Sequence, residues 1–240
     1  MTSQRDIYSA TFVKNLFNEM SHTYGVVNLV ASFGFTYIWR RHCVRNVPPI
    51  ENGCIVDMMT GMGELFASIE RNFDSVESVL AIDFSHEMCT QAARQAARWP
   101  ELKFEIKESD VLESDIGSET ADHIFCSFGL KTLSRGQEAI LAREIARILK
   151  PGGYFSFIEI SVPRNLVLRL PFLFYLRFVI PFIGRLFLGN PSNYRMLAQY
   201  TEAFGDASRF QSLLKQEGLS ASFYSHFFGC ATGVFGSKPA

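Results

Sequence analysis

The residues most suited to chemistry form a short run between two apolar segments, at positions 57–64. The run reads Asp-Met-Met-Thr-Gly-Met-Gly-Glu and leads into a segment that is compatible with a helix. Gly61 and Gly63 let the backbone approach a bound molecule closely, and the free NH groups at the start of a helix favour an anion. The run therefore predicts a turn that binds the carboxylate of a small molecule.

Two further acidic residues, Asp83 and Asp110, each follow a short apolar run. Ligands of a doubly wound sheet bind at the carboxyl ends of its strands. Asp83, about 20 residues past Gly63, is placed to accept hydrogen bonds from two ribose hydroxyls, and Asp110 to bind an adenine amino group. A dinucleotide is disfavoured because the full GxGxxG pattern is missing. The alternative is structural: the glycines only make a tight turn, and Asp83 caps the next helix.

The segments that must position these residues alternate between short apolar runs and longer helical patterns, which is typical of a parallel sheet with crossover helices. Strands are predicted at 54–57, 79–83, 103–107, 121–127 and 154–160, and helices at 65–70, 85–98 and 137–149. The Lys-Pro-Gly-Gly run at 150–153 predicts a turn. A helix at 207–216 and two β-rich runs, 221–228 and 230–235, would add an antiparallel pair. We expect an α/β, Rossmann-like fold with a mainly parallel seven-stranded sheet and helices on both faces.

The composition is that of one globular domain covering residues 1–240. With 23 basic and 24 acidic residues the net charge is −1, and no run of like charges suggests a nucleic-acid partner. Five scattered cysteines show no metal-ligand spacing, which indicates reduced thiols in a cytosolic setting. The first residues lack the basic and apolar regions of a secretory signal.

The composition changes after Pro163. The 24 residues of 166–189 are strongly apolar but contain Arg169, Arg177 and Arg185 and two prolines. Their length suffices to span a bilayer, but each central arginine would cost at least about 2.5 kcal/mol there. A segment that lies on the membrane surface fits better, and an apolar lid over the active site is the alternative. Residues 164–200 are therefore predicted to be a membrane-facing or substrate-binding insertion.

Several runs, taken in order, resemble the ubiquinone/menaquinone C-methyltransferase family over nearly the whole chain. They are VKNLFNEM (13–20), YGVVN (24–28), SFG (32–34), IWRR (38–41), SFGLK (127–131), EISVP (159–163) and NYRML (193–197). The resemblance implies the class I S-adenosylmethionine-dependent methyltransferase fold, a lipophilic quinone as substrate and a helical lid at residues 1–45. The residues then expected to bind S-adenosylmethionine are Asp57, Met59, Thr60, Gly61, Met62, Gly63, Asp83, Phe84, Asp110, Val111 and Ser127.

The turn at 57–64 departs from the family's usual form. Met59 and Thr60 stand where the family has small residues, and Glu64 stands where it usually has aspartate. This variant resembles the rhodoquinone-forming branch, whose members are understood to transfer the amino group of S-adenosylmethionine to ubiquinone in place of a ring methoxy group, and to use Mn²⁺. The alternatives are a C- or O-methyltransferase for a quinone or another lipophilic ring, with ordinary drift in the turn, and a cofactor-binding accessory subunit.

Glu64 has the most open role: a base, a metal ligand, or only an acid that the helix dipole favours. Together with Asp122 and Glu159 it is a candidate manganese ligand, because manganese prefers carboxylates. His22 and Tyr24, on the lid, are the other candidate catalytic residues, although a lone histidine is more often a surface residue. The expected location is the cytoplasmic face of the inner membrane, or the matrix side of the mitochondrial inner membrane in a eukaryote.

Overall fold

The computed structural model describes residues 7–240 and is built around one seven-stranded sheet. Its strands are β1 (Glu51–Met58), β2 (Ser75–Asp83), β3 (Phe104–Glu108), β4 (Ala121–Ser127), β5 (Leu149–Ile160), β6 (Ser220–His226) and β7 (Ala231–Ser237). They lie in the order β3-β2-β1-β4-β5-β7-β6. Strand β7 is antiparallel to β5 and β6, and the other pairs are parallel. The predicted Rossmann-like fold and its C-terminal antiparallel pair are confirmed.

Helices precede, connect and follow the strands. They are α1 (Ala10–Met20), α2 (Tyr24–Ala31), α3 (Phe35–Arg45), α4 (Phe66–Glu70), α5 (His86–Ala96), α6 (Arg135–Ile148), α7 (Leu166–Phe174), α8 (Ile180–Leu186), α9 (Pro191–Phe204) and α10 (Ser208–Gln216). A π-helical turn, Tyr175–Val179, joins α7 to α8, so that Leu166–Leu186 is one continuous helix of 21 residues.

Strand β4 shows how the sheet separates two apolar cores. Ile124 belongs to a buried cluster with Leu141 of α6 and Phe210 of α10. Its neighbour Phe125 belongs to a second cluster with Trp39 of α3. Successive side chains of a strand point to opposite faces, so helices must cover both faces of β4. Strands that are buried on both faces read as continuous apolar runs, and such runs predicted the central strands.

The start of β5 differs from the sequence prediction. Residues 150–153 were expected to form a turn after the helix, but β5 already begins at Leu149 and includes them. Gly152 has a φ of 79°, and the pairing of β5 with β4 shifts between Ala121 and His123. The Pro-Gly-Gly run is therefore the irregular start of a strand, because an irregular pairing accommodates its backbone geometry without ending the strand. The prediction of a separate turn is wrong.

Helices from the two ends of the chain pack together at the carboxyl edge of the parallel strands. Tyr24 of α2 lies in a buried cluster with Tyr194 and Tyr200 of α9, and Phe84, just after β2, packs against the same cluster. The Thr23 and Tyr194 hydroxyls are 2.9 Å apart. Residues 1–6 of the expected lid lie outside the described residues. The lid segment and the 164–200 segment thus meet over the sheet edge at which the predicted site lies.

Helix α6, which packs against β4 and β5, starts with a capping box. The Ser134 hydroxyl accepts the Gln137 NH at 3.4 Å, and the Gln137 side-chain oxygen accepts the Ser134 NH at 2.8 Å. Ser134→Ala leaves one of these NH groups without its partner, so we expect the free energy of unfolding to fall by about 1 kcal/mol in urea titrations. Ser222→Ala, exposed on β6, is the control and should stay within about 0.5 kcal/mol of wild type. Equal losses in both variants would contradict the capping role.

Candidate active site

One carboxylate fastens the turn after β1 to the end of β2. The Asp83 Oδ2 atom accepts the backbone NH of Gly61 at 2.9 Å, and its Oδ1 atom accepts the NH of Ser85 at 2.9 Å. Gly61 has a φ of 59°, and a Cβ atom there would lie 2.7 Å from the Glu64 Oε2 atom. Glycine is therefore needed at position 61 both for its backbone conformation and for the approach of Glu64.

These strand ends border a cavity of about 770 Å³, which we call the cofactor cavity. Among the predicted cofactor residues, those that line it are Met59, Gly61, Asp83, Phe84, Asp110, Val111 and Ser127. The other four lie behind the lining of this cavity, at the end of β1 and in the turn that follows it: Asp57, Thr60, Met62 and Gly63. The structure thus gathers the whole predicted set at one edge of the sheet.

The order of the strands fits an elongated nucleoside with an amino-acid arm. Asp110 follows β3, Asp83 ends β2, and Glu64 lies in the turn after β1, so three polar sites occur in the strand order β3-β2-β1. Neighbouring strands are about 4.8 Å apart, so the outer two strand ends are separated by about 10 Å. Adenine at Asp110, ribose at Asp83 and methionine at the β1 turn would match this row.

Two carboxyl groups beside the turn are fully desolvated. Burial raises the pKa of Asp57 to about 7, although the Thr60 hydroxyl, which donates to its Oδ2 atom at 2.5 Å, acts in the opposite direction. Burial also raises the pKa of Asp83 to about 6, against the NH groups of Ser85 and Gly61. Within the described chain, the Asp57 Oδ1 atom is buried without a hydrogen-bond partner. A bound sulfonium cation would favour the ionised form of both groups.

Arg40 of α3 is a residue of the site that the sequence reasoning missed. Its Nη2 atom lies 3.1 Å from Glu64 Oε1, and its Nε atom donates to the Ser127 hydroxyl at 3.3 Å. The guanidinium also lies 4.9 Å from the centre of the Phe128 ring. Both members of the ion pair line the cofactor cavity. An amino acid carries one ammonium and one carboxylate, so Glu64 and Arg40 offer a complementary charge to each end of the methionine zwitterion.

A second cavity of about 740 Å³ adjoins the first and is lined mainly by apolar side chains. Tyr24 and Phe128 line both cavities, so these two side chains form the boundary between them. Its other walls come from α2, α3, α9 and the continuous helix, including Trp39, Phe172 and Leu176. We call it the ring cavity, because its apolar walls and its position beside the cofactor suit a planar, lipophilic acceptor.

Lys131 supplies a buried cation in the wall of the ring cavity. Its Nζ atom donates to Glu159 Oε1 at 2.8 Å and to the Phe128 carbonyl at 2.7 Å. Burial by itself would lower the pKa of Lys131, but the Glu159 carboxylate outweighs this effect and raises it, so the side chain stays charged. An ammonium has three hydrogens, which leaves one to donate to an acceptor in the cavity. Sequence reasoning placed Lys131 in a family run but gave it no role.

The three carboxylates predicted as manganese ligands lie apart. Glu64 is at the cofactor turn, whereas Asp122 is near the start of β4, where it accepts from the Cys54 NH and from Lys150. Both oxygens of Glu159 are bonded, Oε1 to the Lys131 ammonium and Oε2 to the Lys131 NH. In residues 7–240, no group of three or more His, Cys, Asp or Glu side chains is arranged to hold a metal ion. The described residues therefore do not bring Glu64, Asp122 and Glu159 together in one manganese site.

The two candidate catalytic residues of the lid, His22 and Tyr24, differ in their burial and in their distance from the cavities. Tyr24 is buried between the two cavities, and this burial raises the pKa of its hydroxyl, which therefore remains a neutral donor. His22 lies exposed in the turn between α1 and α2 and lines neither cavity. The predicted contact of His22 with the substrate is thus not found. Exposure of the turn is the physical reason, since residue 22 precedes the helix whose buried face reaches the site.

We expect Asp83→Asn to weaken S-adenosylmethionine binding on the order of 10- to 100-fold, because hydrogen bonds to an ionised group contribute about 1.5–3 kcal/mol. The new amide NH₂ would also oppose one of the two backbone NH groups that Asp83 accepts. Isothermal titration calorimetry measures the effect. Asp115→Asn, an exposed acid in the loop after β3, is the matched control. If both variants bind the cofactor as wild type does, Asp83 does not hold it.

Cofactor affinity should rise as the pH increases through about 6 to 7, where Asp83 and Asp57 lose their protons and can attract the sulfonium. Thr60→Val removes the hydroxyl that stabilises the Asp57 carboxylate. The pKa of Asp57 should then rise further, and the midpoint of the affinity profile should move up by about one pH unit. Thr201→Val, a buried threonine of α9, should leave the midpoint in place. A profile of Thr60→Val that overlays the wild-type profile would exclude this coupling.

Two solved structures with the same fold are described as methyltransferases. One from Methanococcus maripaludis, described as S-adenosyl-L-methionine-dependent, has a TM-score of 0.60 at 21% identity and covers 100% of this chain and 98% of that chain. A SAM-dependent methyltransferase from Aquifex aeolicus has a TM-score of 0.57 at 16% identity, with 82% of this chain and 88% of that chain covered. At these identities the likeness establishes the fold.

Relatives found by sequence share a higher identity with this chain than these solved structures do. The demethylmenaquinone methyltransferase of Thermus thermophilus is 29% identical over 225 residues, which cover 93% of this chain and 100% of the relative. The ubiquinone/menaquinone biosynthesis C-methyltransferase UbiE of Syntrophotalea carbinolica is 30% identical over 204 residues, 85% of this chain and 84% of the relative. The model of the ubiE/COQ5 methyltransferase family matches residues 1–238. The chain therefore belongs to the ubiE/COQ5 methyltransferase family and is an S-adenosylmethionine-dependent enzyme of the methyltransferase class.

Proposed function

We propose that this enzyme transfers a group from S-adenosylmethionine to the ring of a lipophilic quinone bound in the ring cavity. The observation that carries the proposal is the contact between the two cavities, which have Tyr24 and Phe128 as their common wall. A shift of these two side chains would bring acceptor and cofactor together, with water displaced by apolar walls. The relatives named for demethylmenaquinone and for ubiquinone or menaquinone biosynthesis support a quinone as the acceptor.

The group that we propose to be transferred is the amino group, which displaces a ring methoxy of ubiquinone as methanol. Cleavage of the methionine N–Cα bond with loss of a Cβ proton then leaves the amino group of rhodoquinone on the ring and an α,β-unsaturated acid on the sulfonium. Its support is the changed turn. The Met59 side chain lines the cofactor cavity and packs against Gly129, where an added Cβ would lie 2.8 Å from the Met59 sulfur. The larger residue at 59 therefore fits against a glycine that belongs to the family run at 127–131. Met59 changes the wall of the cofactor cavity beside the turn, where we propose that the amino-acid arm of the cofactor lies.

Glu64 supports the same proposal through its charge. An amine attacks a ring carbon only after it has lost its proton, so the methionine ammonium needs a base at its side. The Glu64 carboxylate lies at the cofactor turn, fixed by Arg40 and by the Met62 NH at 3.2 Å. Methyl transfer has no such need, because the methyl group leaves a sulfonium directly and mainly requires alignment. The proposed step is assigned to protein groups, and none of it to a metal ion.

Methyl transfer to the quinone ring is the second candidate. The relatives favour it, because each of them is named as a methyltransferase and is matched over most of its length. The same cofactor cavity and ring cavity would serve it. Lys131 would then hold an acceptor oxygen, and Tyr24 would lie beside the path of the methyl group.

A quinone with an isoprenoid tail is dissolved in a membrane, so we also propose that the enzyme works as a peripheral protein at the cytoplasmic face of the inner membrane, or at the matrix face in a mitochondrion. The helix Leu166–Leu186 supports this, since it has a mean hydropathy of 1.9 and only 11% of its most apolar part is buried. By length and composition it could also cross a bilayer, but its arginines oppose that placement. Residues 164–189 are therefore proposed as the membrane contact.

A doubly labelled cofactor distinguishes the two reactions. S-adenosylmethionine with heavy nitrogen in its amino group and deuterium in its methyl group is incubated with purified enzyme and short-chain ubiquinone, with and without Mn²⁺. Mass spectrometry of the quinone should show heavy nitrogen in place of a methoxy group. Deuterium without heavy nitrogen would reject amino transfer and establish a methyltransferase. Cofactor binding with neither label in any quinone would indicate an accessory subunit.

The same assay tests Glu64. Glu64→Asp, which restores the usual family residue but withdraws the carboxylate by one methylene, should reduce amino transfer at least about 100-fold, as expected for loss of a positioned base. Glu77→Asp, an equally conservative change at an exposed position of β2, should have no effect. An unchanged rate in Glu64→Asp would remove Glu64 from the reaction while leaving the quinone substrate in place.

A further inference from the structure

We propose that the exposed side chains of residues 20–50 and 160–201 together form one surface that binds anionic lipid bilayers and leads the substrate into the ring cavity. We call it the bilayer surface. The entry of substrate rests on the proposed quinone function, whereas the binding of lipid does not. The proposal goes beyond the apolar helix, because it adds a second segment of the chain, a preferred lipid charge and a position for the entrance.

The continuous helix presents an apolar stripe to the outside. Six residues spaced three or four positions apart are each at least 60% exposed: Val167, Leu170, Phe174, Phe178, Phe182 and Leu186. This spacing places them on one face of the helix. A helix that serves only as a lid needs apolar residues on its inner face, so folding does not account for the outer stripe.

The turn between α2 and α3 continues this stripe. Phe33 is 81% exposed and has a φ of 50°, which is strained for a phenylalanine. Its ring stacks on Tyr175 of the continuous helix at 6.5 Å, and the Tyr175 hydroxyl donates to the Ala31 carbonyl at 2.7 Å. Val30 and Leu29 beside it are also exposed. The two segments therefore adjoin and offer one apolar surface to the same side.

The charges of the chain are divided between this surface and the rest. Residues 20–50 and 160–201 contain eight arginines and no acidic residue, whereas the other 167 residues contain 15 basic and 24 acidic side chains. Arg40 is buried against Glu64, and Arg164 and Arg177 form ion pairs with Asp206 and Glu202. The exposed cations that remain for a bilayer are Arg41, Arg45, Arg169, Arg185 and Arg195. Exposed arginines beside apolar residues match the phosphates and acyl boundary of an anionic leaflet.

The seam of the bilayer surface borders the ring cavity. Ala31, Ser32 and Tyr175, which join the two segments, line that cavity, and so does Phe172 of α7. Opening the Tyr175–Ala31 hydrogen bond would connect the cavity with the acyl region. A ring could then enter while its tail stays in the lipid.

An anionic bilayer fits this surface better than a second copy of the chain. A symmetric dimer would place the exposed arginines of one copy against the same arginines of the other. A membrane-spanning placement would bury Arg169 and Arg177 in hydrocarbon, although Arg177 forms an ion pair with Glu202 of α9. In an anionic leaflet the lipid phosphates can pair with the arginines, and the acyl chains can contact the apolar stripe.

The test is flotation of the purified full chain with vesicles of phosphatidylcholine alone or mixed with phosphatidylglycerol, at low and high salt, without quinone or cofactor. Phe33→Asn removes the aromatic ring and should fold at least as well, since asparagine tolerates a positive φ. A triple variant replaces the exposed residues Arg41, Arg169 and Arg185 with glutamine. Its charge-matched control replaces Arg94, Arg98 and Arg143, which are exposed outside the bilayer surface.

We expect binding to the anionic vesicles only, weaker at high salt. Phe33→Asn should reduce the partition coefficient on the order of tenfold, and the triple variant about 100-fold, while the control triple binds as wild type does. Equal binding by all variants would overturn the proposal, as would flotation that ignores lipid charge. A dimer that Phe33→Asn dissociates, without vesicle binding, would make the surface an interface between copies. Retention after alkaline washing would show a spanning helix instead.

Discussion

The hydrogen bond from the Gly61 NH to the Asp83 carboxylate fixes the active site, because it joins the ends of two neighbouring parallel strands. It determines where the glycine turn lies, and it partly offsets the burial that raises the pKa of this carboxylate to about 6. A fixed, dehydrated carboxylate needs little reorganisation when ribose hydroxyls and a sulfonium arrive. The apo site is therefore less stable than a solvated one, and cofactor binding offsets that difference.

The buried cations have distinct tasks in this arrangement. Arg40 connects the lid helix α3 to the cofactor turn through its ion pair with Glu64. Lys131 holds the Phe128 carbonyl, and Phe128 has a φ of 65° and forms part of the wall between the cavities. The Lys131–Glu159 pair thus stabilises a strained residue at the point where cofactor and acceptor meet. An ion pair with a positioning role explains why a costly buried charge is present there.

The sequence predicted the sheet well and the site only in part, for one physical reason. Strands that are buried on both faces, and turns that require glycine, leave local patterns, so β1, β2 and Asp83 could be located from spacing alone. Arg40 meets Glu64 across 24 positions, and Lys131 meets Glu159 across 28, contacts that no local pattern encodes. His22 was misplaced for the same reason, because a sequence shows that a lid helix exists but not which of its turns reaches the cavity.

The continuous helix connects the chemistry with the surroundings of the protein. Its inner residues Phe172 and Leu176 line the ring cavity, while Phe174 and Phe178 are exposed on its outer face. Any movement that opens the cavity toward the outside must move the outer stripe as well. If that stripe rests in lipid, opening exposes the ring cavity to acyl chains and not to water. The helix therefore needs apolar residues on both faces. Those on the inner face exclude water from the transfer, and those on the outer face contact the lipid that dissolves the substrate.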